Sequence, residues 1–465
     1  HGKDLAKYCT PWVGVLSHFP GLKSAPQYPL AIDKVVWQGE PVVAVVADSR
    51  AAAEDGVARL EVDFEPLPVV ADMRTALDPA TPVIHPELGD NLAFQRLHEA
   101  GDPSGAMAAA AHVVEANFET GRHTGVCLEP RSILADYNRP ENRLTVHHST
   151  QAPHMMQSIQ ARHLDLPEGN VRVLCRDVGG SYGIKVHVYP DEMAVAAIAK
   201  AMGRPVKFVA DRVESFTSDF HARDHTIHGR IGLDAAGRIL AMEIDDLTGI
   251  GPYSVYPRTS AIEGNQVVNL CGGPYDFAHY RARTTVVLQN KTPTCQYRAV
   301  GHPIATAVTE GLVDLAAAKI GMDPVAIRRL NLVRDDAYPY VSAANTRFEG
   351  LSHHASLDKL VALMDYPRLR AEQAALRRQG IHRGIGFASF IELTNPSPFM
   401  YGIGGARISA QDGCTVRMDP DGSVVALSGV TEQGQGTEAI IAQVVAEGVG
   451  VPIERNEERP GATRR

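Results

Sequence analysis

Val171-Arg172-Val173-Leu174-Cys175-Arg176-Asp177-Val178-Gly179-Gly180-Ser181-Tyr182-Gly183-Ile184-Lys185-Val186 is the stretch whose reading decides the fold. Val171, Val173 and Cys175 share one side of a period-two repeat, which predicts a strand ending in a small buried thiol. Gly179 to Gly183 then matches G-x-S-x-G, the elbow that exposes a nucleophilic Ser where a strand turns sharply into a helix. Residues Ile184 to Asp191 hold two β-branched Val and Pro190, so no helix opens behind Ser181 and a serine hydrolase is the weaker reading. A second reading uses the glycines themselves, which let backbone approach a cofactor and turn its N–H groups toward oxygen ligands. A plain tight turn between strands is the third, and the pentapeptide alone leaves these open. A P-loop is excluded, because the spacing fails and Val186 stands where a Ser or Thr would reach magnesium.

Two further loops carry similar chemistry. Gln433-Gly434-Gln435-Gly436-Thr437 leads directly into a helix, where backbone N–H groups favour an anion and two amide side chains can both donate and accept. Read plainly, it is a loop with Thr437 as an ordinary N-cap. Thr292-Pro293-Thr294-Cys295-Gln296-Tyr297-Arg298-Ala299-Val300-Gly301 lies between a strand and a long helix, and Arg298 could present a fixed guanidinium to an oxyanion. A surface Arg in a turn is the alternative.

Outward from these loops, the pattern predicts a mixed α/β (α+β) chain in several units, as 465 residues require. Residues 1–75 read as a small α/β unit, with strands Val35–Trp37, Val42–Ala47 and Leu60–Phe64 around a helix through Ala51–Val57. Residues 76–94, with Pro79, Pro82 and Pro86, read as a linker. Residues 95–335 form a larger unit with strands near 144–146, 171–173 and 205–210. Its helices span 191–202 and 304–320, closed by Gly203 and Gly321, and a hairpin turns at Asp234–Gly237. Residues 350–465 form a third. It has a basic, solvated helix within 365–383, strands near 384–390, 415–418 and 423–427, and a helix at 437–447 before a polar tail.

Composition removes other classes. Forty-five Lys and Arg against 54 Asp and Glu give a net charge of -9, so no field would hold nucleic acid or an acidic membrane. No apolar run approaches a membrane span. The six Cys show no C-x-x-C pair, which excludes a zinc ribbon or an iron–sulfur ligand run and suits a reducing cytoplasm. His147-His148, His154 and His353-His354 lack metal-ligand spacing, and the sequon at Asn290 is read as chance. The chain opens on His1 without a secretion signal and is read as a fragment.

Taken in order, the three loops resemble the molybdenum-binding large subunit of the xanthine dehydrogenase, aldehyde oxidase and carbon monoxide dehydrogenase family. Gly39-Glu40-Pro41-Val42 through Phe64-Glu65-Pro66-Leu67-Pro68 resembles its N-terminal hammerhead domain. Ser149-Thr150-Gln151-Ala152-Pro153-His154, Gly203-Arg204-Pro205-Val206, Asp211-Arg212 with Glu214, and Gly321-Met322-Asp323-Pro324 with Arg328 and Asn331 resemble its first cofactor domain. Ala442-Gln443 after the second glycine loop resembles the opening of the next, so the likeness runs from about residue 30 to 453.

The resemblance implies an oxidoreductase holding molybdopterin with molybdenum, the cytosine dinucleotide form being one candidate. Such an enzyme inserts water-derived oxygen at an electron-poor carbon of an N-heterocycle or aldehyde. It also implies site residues. Gln151 bonds an oxo ligand, Gly180, Tyr182 and Gly183 bring backbone N–H groups to the metal oxygens, Arg298 lies beside metal and substrate, and Gln435 with Gly436 touches the pterin. The electrons leave through an iron–sulfur small subunit and an FAD medium subunit in a heterotrimer. Ser181 and Tyr182 replace the usual Gly and Phe, Val186 stands where purine oxidases carry Glu, and Ala299 follows Arg298 where the copper-binding Cys would stand. The family's general-base Glu belongs to a later motif. The chain is therefore read as a truncated subunit, inactive by itself, a non-catalytic remnant being an alternative.

Overall fold

Nine strands between Leu92 and Val287 build two sheets in the computed structural model, which describes residues 1–392 and 413–459. They are β1 Leu92–Ala100, β2 His112–Thr120, β3 Ser132–Asn138, β4 Arg143–His148, β5 Val171–Leu174, β6 Val206–Val209, β7 His225–Leu233, β8 Ile239–Gly249 and β9 His279–Val287. The smaller sheet runs β5-β4-β3-β6, with β4 and β5 parallel and the other pairs antiparallel. Period-two alternation puts Ile133, Ala135, Leu144, Val146, Val171 and Val173 on one buried face, beneath helices Pro153–His163 and Pro190–Met202. The second helix forms where the sequence predicts it. Pro190 is in its first turn, Asp191 and Glu192 complement the positive end, and Gly203 at φ +65 closes it.

The larger sheet runs β1-β9-β8-β7-β2, antiparallel except for the parallel β8/β9 pair. Helix His302–Ile320 lies across β2 and β7, so that Ile227, Ile231 and Leu233 share a core with Val308, Leu312 and Val313. Each such side chain contributes about 1.5–3 kcal/mol on full burial. Helix Ile262–Leu270 packs on β9 and β8 and faces the first turn of that long helix.

Four expectations fail for one reason. Val35–Trp37, Val42–Ala47 and Leu60–Phe64 belong to no ladder, and neither does Gly384–Phe390. Alternation marks a face to be buried, whereas a strand also needs a neighbour for its backbone groups, and none lies alongside among the described residues. The helix between them does form, as Arg50–Val57, with Ser49 Oγ accepting from the Ala52 N–H at 3.2 Å. Residues before it spread over two cores. Leu5, Cys9, Trp12 and Leu30 join the smaller sheet, while Phe19, Val36 and Trp37 pack with Phe94 and Val286. The Pro-rich stretch 76–94 buries Ala76 and Ile84, and the Asn91 amide ties Ala76, Pro82 and Ile84 together.

Near the C-terminus, Cys414–Met418 and Val424–Ser428 form the expected hairpin, Asn456–Arg459 adds in parallel, and helix Thr437–Val449 packs on them. The end of the polar tail, 460–465, lies outside the described residues.

Candidate functional site

Segments from three parts of the chain meet at the first glycine loop. After β5, Gly180 at φ +90, Tyr182 at φ +54 and Gly183 at φ +96 turn the chain through left-handed conformations. Gly183 is required on space as well as dihedral, because a Cβ there would stand 2.3 Å from the Gln296 carbonyl oxygen. The Tyr182 carbonyl accepts from the Arg298 N–H at 2.8 Å, and the Gly183 N–H donates to Gln151 Oε1 at 3.1 Å. Gln151 N and Thr150 Oγ1 both donate to the Lys185 carbonyl, at 3.1 and 3.0 Å. Gln151, Tyr182 and Arg298 are thereby brought together.

The same bonds decide which groups are left to work. The Gly183 N–H is engaged by Gln151 Oε1. Gln151 is correspondingly oriented, since only its oxygen can accept from that N–H, and its Nε2 has no partner among the described residues. The Tyr182 N–H and the exposed Arg298 guanidinium are likewise without partners among the described residues. An amide, a backbone N–H and a permanent cation thus stand as donors on interlocked segments, a set suited to an oxygen-rich, electron-rich group.

The second glycine loop joins the first. Val178 N donates to the Glu432 carbonyl at 2.9 Å, Thr431 Oγ1 donates to the Gln151 carbonyl at 3.4 Å, and Ser181 Oγ donates to Gln433 Oε1. Ser181 is 2% exposed with its hydroxyl spent on an amide oxygen, and among the described residues no His or carboxylate bonds to it. The hydrolase reading is therefore corrected. Gln435 closes its own loop, accepting from Gln433 N and donating to the Thr431 carbonyl and Thr437 Oγ1. Gly434 and Gly436 face open space, where a Cβ would meet nothing within 4 Å.

Two carboxylates in the site were not signalled by any local motif. Glu129 Oε2 accepts from Gly179 N at 2.7 Å, Ser149 Oγ at 2.9 Å and Lys185 Nζ at 2.9 Å. Burial would raise its pKa, but Lys185 and the Gly179 N–H outweigh it and hold the group below the usual range. Glu432 accepts from Gly434 N at 2.8 Å, Gly436 N at 3.1 Å and Glu438 N at 3.2 Å, filling the end of helix Thr437–Val449. Desolvation is again outweighed by backbone N–H groups, which lower its pKa. Both remain ionised acceptors and are poor proton acceptors.

The site's sequence context has matches among known proteins. The molybdopterin cofactor-binding domain pattern matches residues 84–332, and a second pattern of the same description matches 359–465. The nicotine 6-hydroxylase large subunit of Paenarthrobacter nicotinovorans is 34% identical over 454 residues, covering 97% of this chain and 55% of that protein. The carbon monoxide dehydrogenase large chain of Hydrogenophaga pseudoflava is 31% identical over 447 residues, 91% of this chain and 55% of that one. The solved quinoline 2-oxidoreductase of Pseudomonas putida 86 superimposes with a TM-score of 0.94 at 29% identity, covering 100% of this chain and 59% of its own. The chain spans about half the length of the curated relatives it matches.

Proposed function

We infer the function of this chain from the family it belongs to, the molybdopterin-binding large subunits of the xanthine dehydrogenase, aldehyde oxidase and carbon monoxide dehydrogenase family. The proposal is that it binds molybdopterin and serves hydroxylation of an electron-poor carbon in an N-heteroaromatic ring. The observation that carries it is the donor set built by the Gln151–Gly183 and Arg298–Tyr182 bonds. When bound, the cofactor supplies the redox chemistry.

This chain's own residues supply position and charge. Gln151 Nε2 and the Tyr182 N–H would hold cofactor oxygens; Gln151 Oε1 accepts from the Gly183 N–H, and the Ser181 carbonyl, in the peptide group that carries the Tyr182 N–H, accepts from the Ile184 N–H at 2.8 Å. Arg298 would offer its guanidinium charge to a substrate heteroatom or to negative charge developing on the ring. Gln435 and Gly436 would reach the pterin once their loop-internal bonds are exchanged. Glu129 and Glu432 are assigned no proton transfer, because both are held ionised by donors.

Two substitutions favour a heteroaromatic ring. Ala299 offers no thiolate beside Arg298 for a copper ion, and the relative described as a copper- and molybdenum-containing carbon monoxide dehydrogenase is the less apt guide. Val186, buried after Lys185, removes the carboxylate expected for a purine. Nicotine and quinoline, named in two relatives, are N-heteroaromatics of the kind proposed. Electrons would pass to iron–sulfur and FAD partner subunits in the cytoplasm, with the cytosine dinucleotide as the cofactor form to test. No described helix is long and apolar enough to cross a membrane. The test is metal and nucleotide analysis of the whole complex, followed by oxidation of a pyridine and quinoline panel against carbon monoxide. Absence of molybdenum would overturn the proposal, and turnover of carbon monoxide alone would overturn the substrate class.

A further inference from the structure

Arg223 is buried, with a side chain 4% exposed, and it points at the loop that presents Arg298. Its Nη2 donates to the Arg298 carbonyl at 2.5 Å, its Nη1 donates to Glu263 Oε1, and its own backbone N–H donates to Glu263 Oε2 at 3.0 Å. The guanidinium carbon also lies 5.4 Å from the centre of the Tyr297 ring, so it engages the residues on and before Arg298 together. Glu263 is 2% exposed and stands one turn before Gln266 on the same face of helix Ile262–Leu270. Gln266 Oε1 accepts from the Gly301 N–H at 2.8 Å. Gly301 lies so close to this helix that a Cβ would stand 2.6 Å from the Glu263 carbonyl oxygen. The loop is therefore fastened at both ends to one helix, once through Arg223 and once through Gln266.

What is fastened is strained. Ala299 and Val300 sit at φ +63 and +51, and Arg223 itself at φ +61, conformations that L residues, β-branched Val above all, adopt at a cost. Surrounding bonds must over-determine such a turn for it to persist. Glu263 is in turn held by His225 Nε2 at 3.5 Å, and His225 Nδ1 lies 2.7 Å from Asp246 Oδ1, which also accepts through its other oxygen from Thr248 and Thr284. A fully ion-paired interior thus stands behind a single carbonyl oxygen, that of the exposed residue assigned to the substrate.

We propose that Arg223, anchored by Glu263, is a positioning residue that holds Arg298 in its working orientation, with Gln266 as the second fastening. The proposal rests on the functional reading of Arg298 given above. It is tested in the whole complex with Arg223→Met and Gln266→Met, each made alone and together with Arg298→Ala, and with Arg223→Met plus Glu263→Gln, which leaves no uncompensated buried charge. Amide hydrogen exchange in 297–301 should accelerate about ten- to hundred-fold, the factor carried by one hydrogen bond to a charged donor. Exchange in β7 and in helix Ile262–Leu270 should be unchanged in the charge-balanced variant. With Arg298 present, kcat should fall about ten-fold or more with molybdenum content retained, as for a misplaced electrostatic group. In the Arg298→Ala background the same substitutions should cost nothing further. Unchanged exchange in 297–301, or equal losses of kcat in both backgrounds, would overturn the positioning role. Unchanged kcat in Arg298→Ala alone would instead overturn the reading of Arg298, and the exchange result would still decide whether Arg223 fastens the loop.

Discussion

Replacing Gly183 by Ala perturbs the closest backbone contact in the site. The new Cβ would stand 2.3 Å from the Gln296 carbonyl oxygen, so the two backbones must separate by about 1 Å to reach ordinary contact. Holding an Ala at φ +96 costs about 1–2 kcal/mol, and forcing apart a packed contact adds about 1–3 kcal/mol, for a loss of about 2–5 kcal/mol. The separation would also stretch the Gly183–Gln151 bond and free the Gln151 amide to turn. Gly180→Ala is the matched control. It carries a similar dihedral penalty at φ +90, but the nearest atom is on the exposed Tyr182 side chain, 3.2 Å away and able to swing. Denaturant unfolding of the two variants should therefore differ by about 1–3 kcal/mol, and Gly183→Ala should reduce molybdenum and pterin content more than Gly180→Ala does. Equal stability of the two variants, or wild-type stability of Gly183→Ala, would refute the reasoning.

Other consequences are as direct. Arg131, 1% exposed, forks onto Asp191, Glu192 and Asp219, so Arg131→Met should cost about 3–5 kcal/mol in thermal or denaturant unfolding, and a loss under 1 kcal/mol would contradict the network. Burial would depress the His225 pKa, but Asp246 and Glu263 push it from 6.5 up to about 10. Its charged form then contributes stability that is complete below pH 6.5 and lost as pH rises through about 10. His225→Gln should flatten that part of the stability profile, and an unchanged slope would count against the assignment. Ser181, bonded to Gln433, should take no label from a fluorophosphonate probe, and labelling abolished by Ser181→Ala would revive a hydrolase.

Sequence revealed those features whose cause is local. Helices Pro190–Met202 and His302–Ile320 were legible because Gly203 and Gly321 supply the left-handed residue that ends each one. The glycine loops were legible because close backbone approach leaves a mark in residue type. Strand β1, an edge of the larger sheet, shows no alternation in its residue types, whereas β2, the other edge, does alternate, with Val114, Ala116 and Phe118 on the core side of Glu115, Asn117 and Glu119, and was legible but not read. Arg223, Glu263 and Gln266 were illegible because each acts on a group far away in sequence, and a bond of that kind leaves no pattern. Arg328 and Asn331, quoted for their family likeness, turn out to be structural. Arg328 joins Glu310 to the Phe387 carbonyl, and Asn331 bonds Ile239 N and the Gly237 carbonyl beside the β7–β8 turn.

The Glu432 carboxylate at the end of helix Thr437–Val449 has a consequence for loading. Three N–H groups that would greet an incoming phosphate already hold a tethered competitor, present at the effective concentration its short linkage imposes. An anion docking there makes an exchange, not an addition, and its apparent affinity is the difference between two ligands. The Glu432 carboxylate thus neutralises that helix end from within the chain, and it also ties Gly434, Gly436 and Glu438 into one loop.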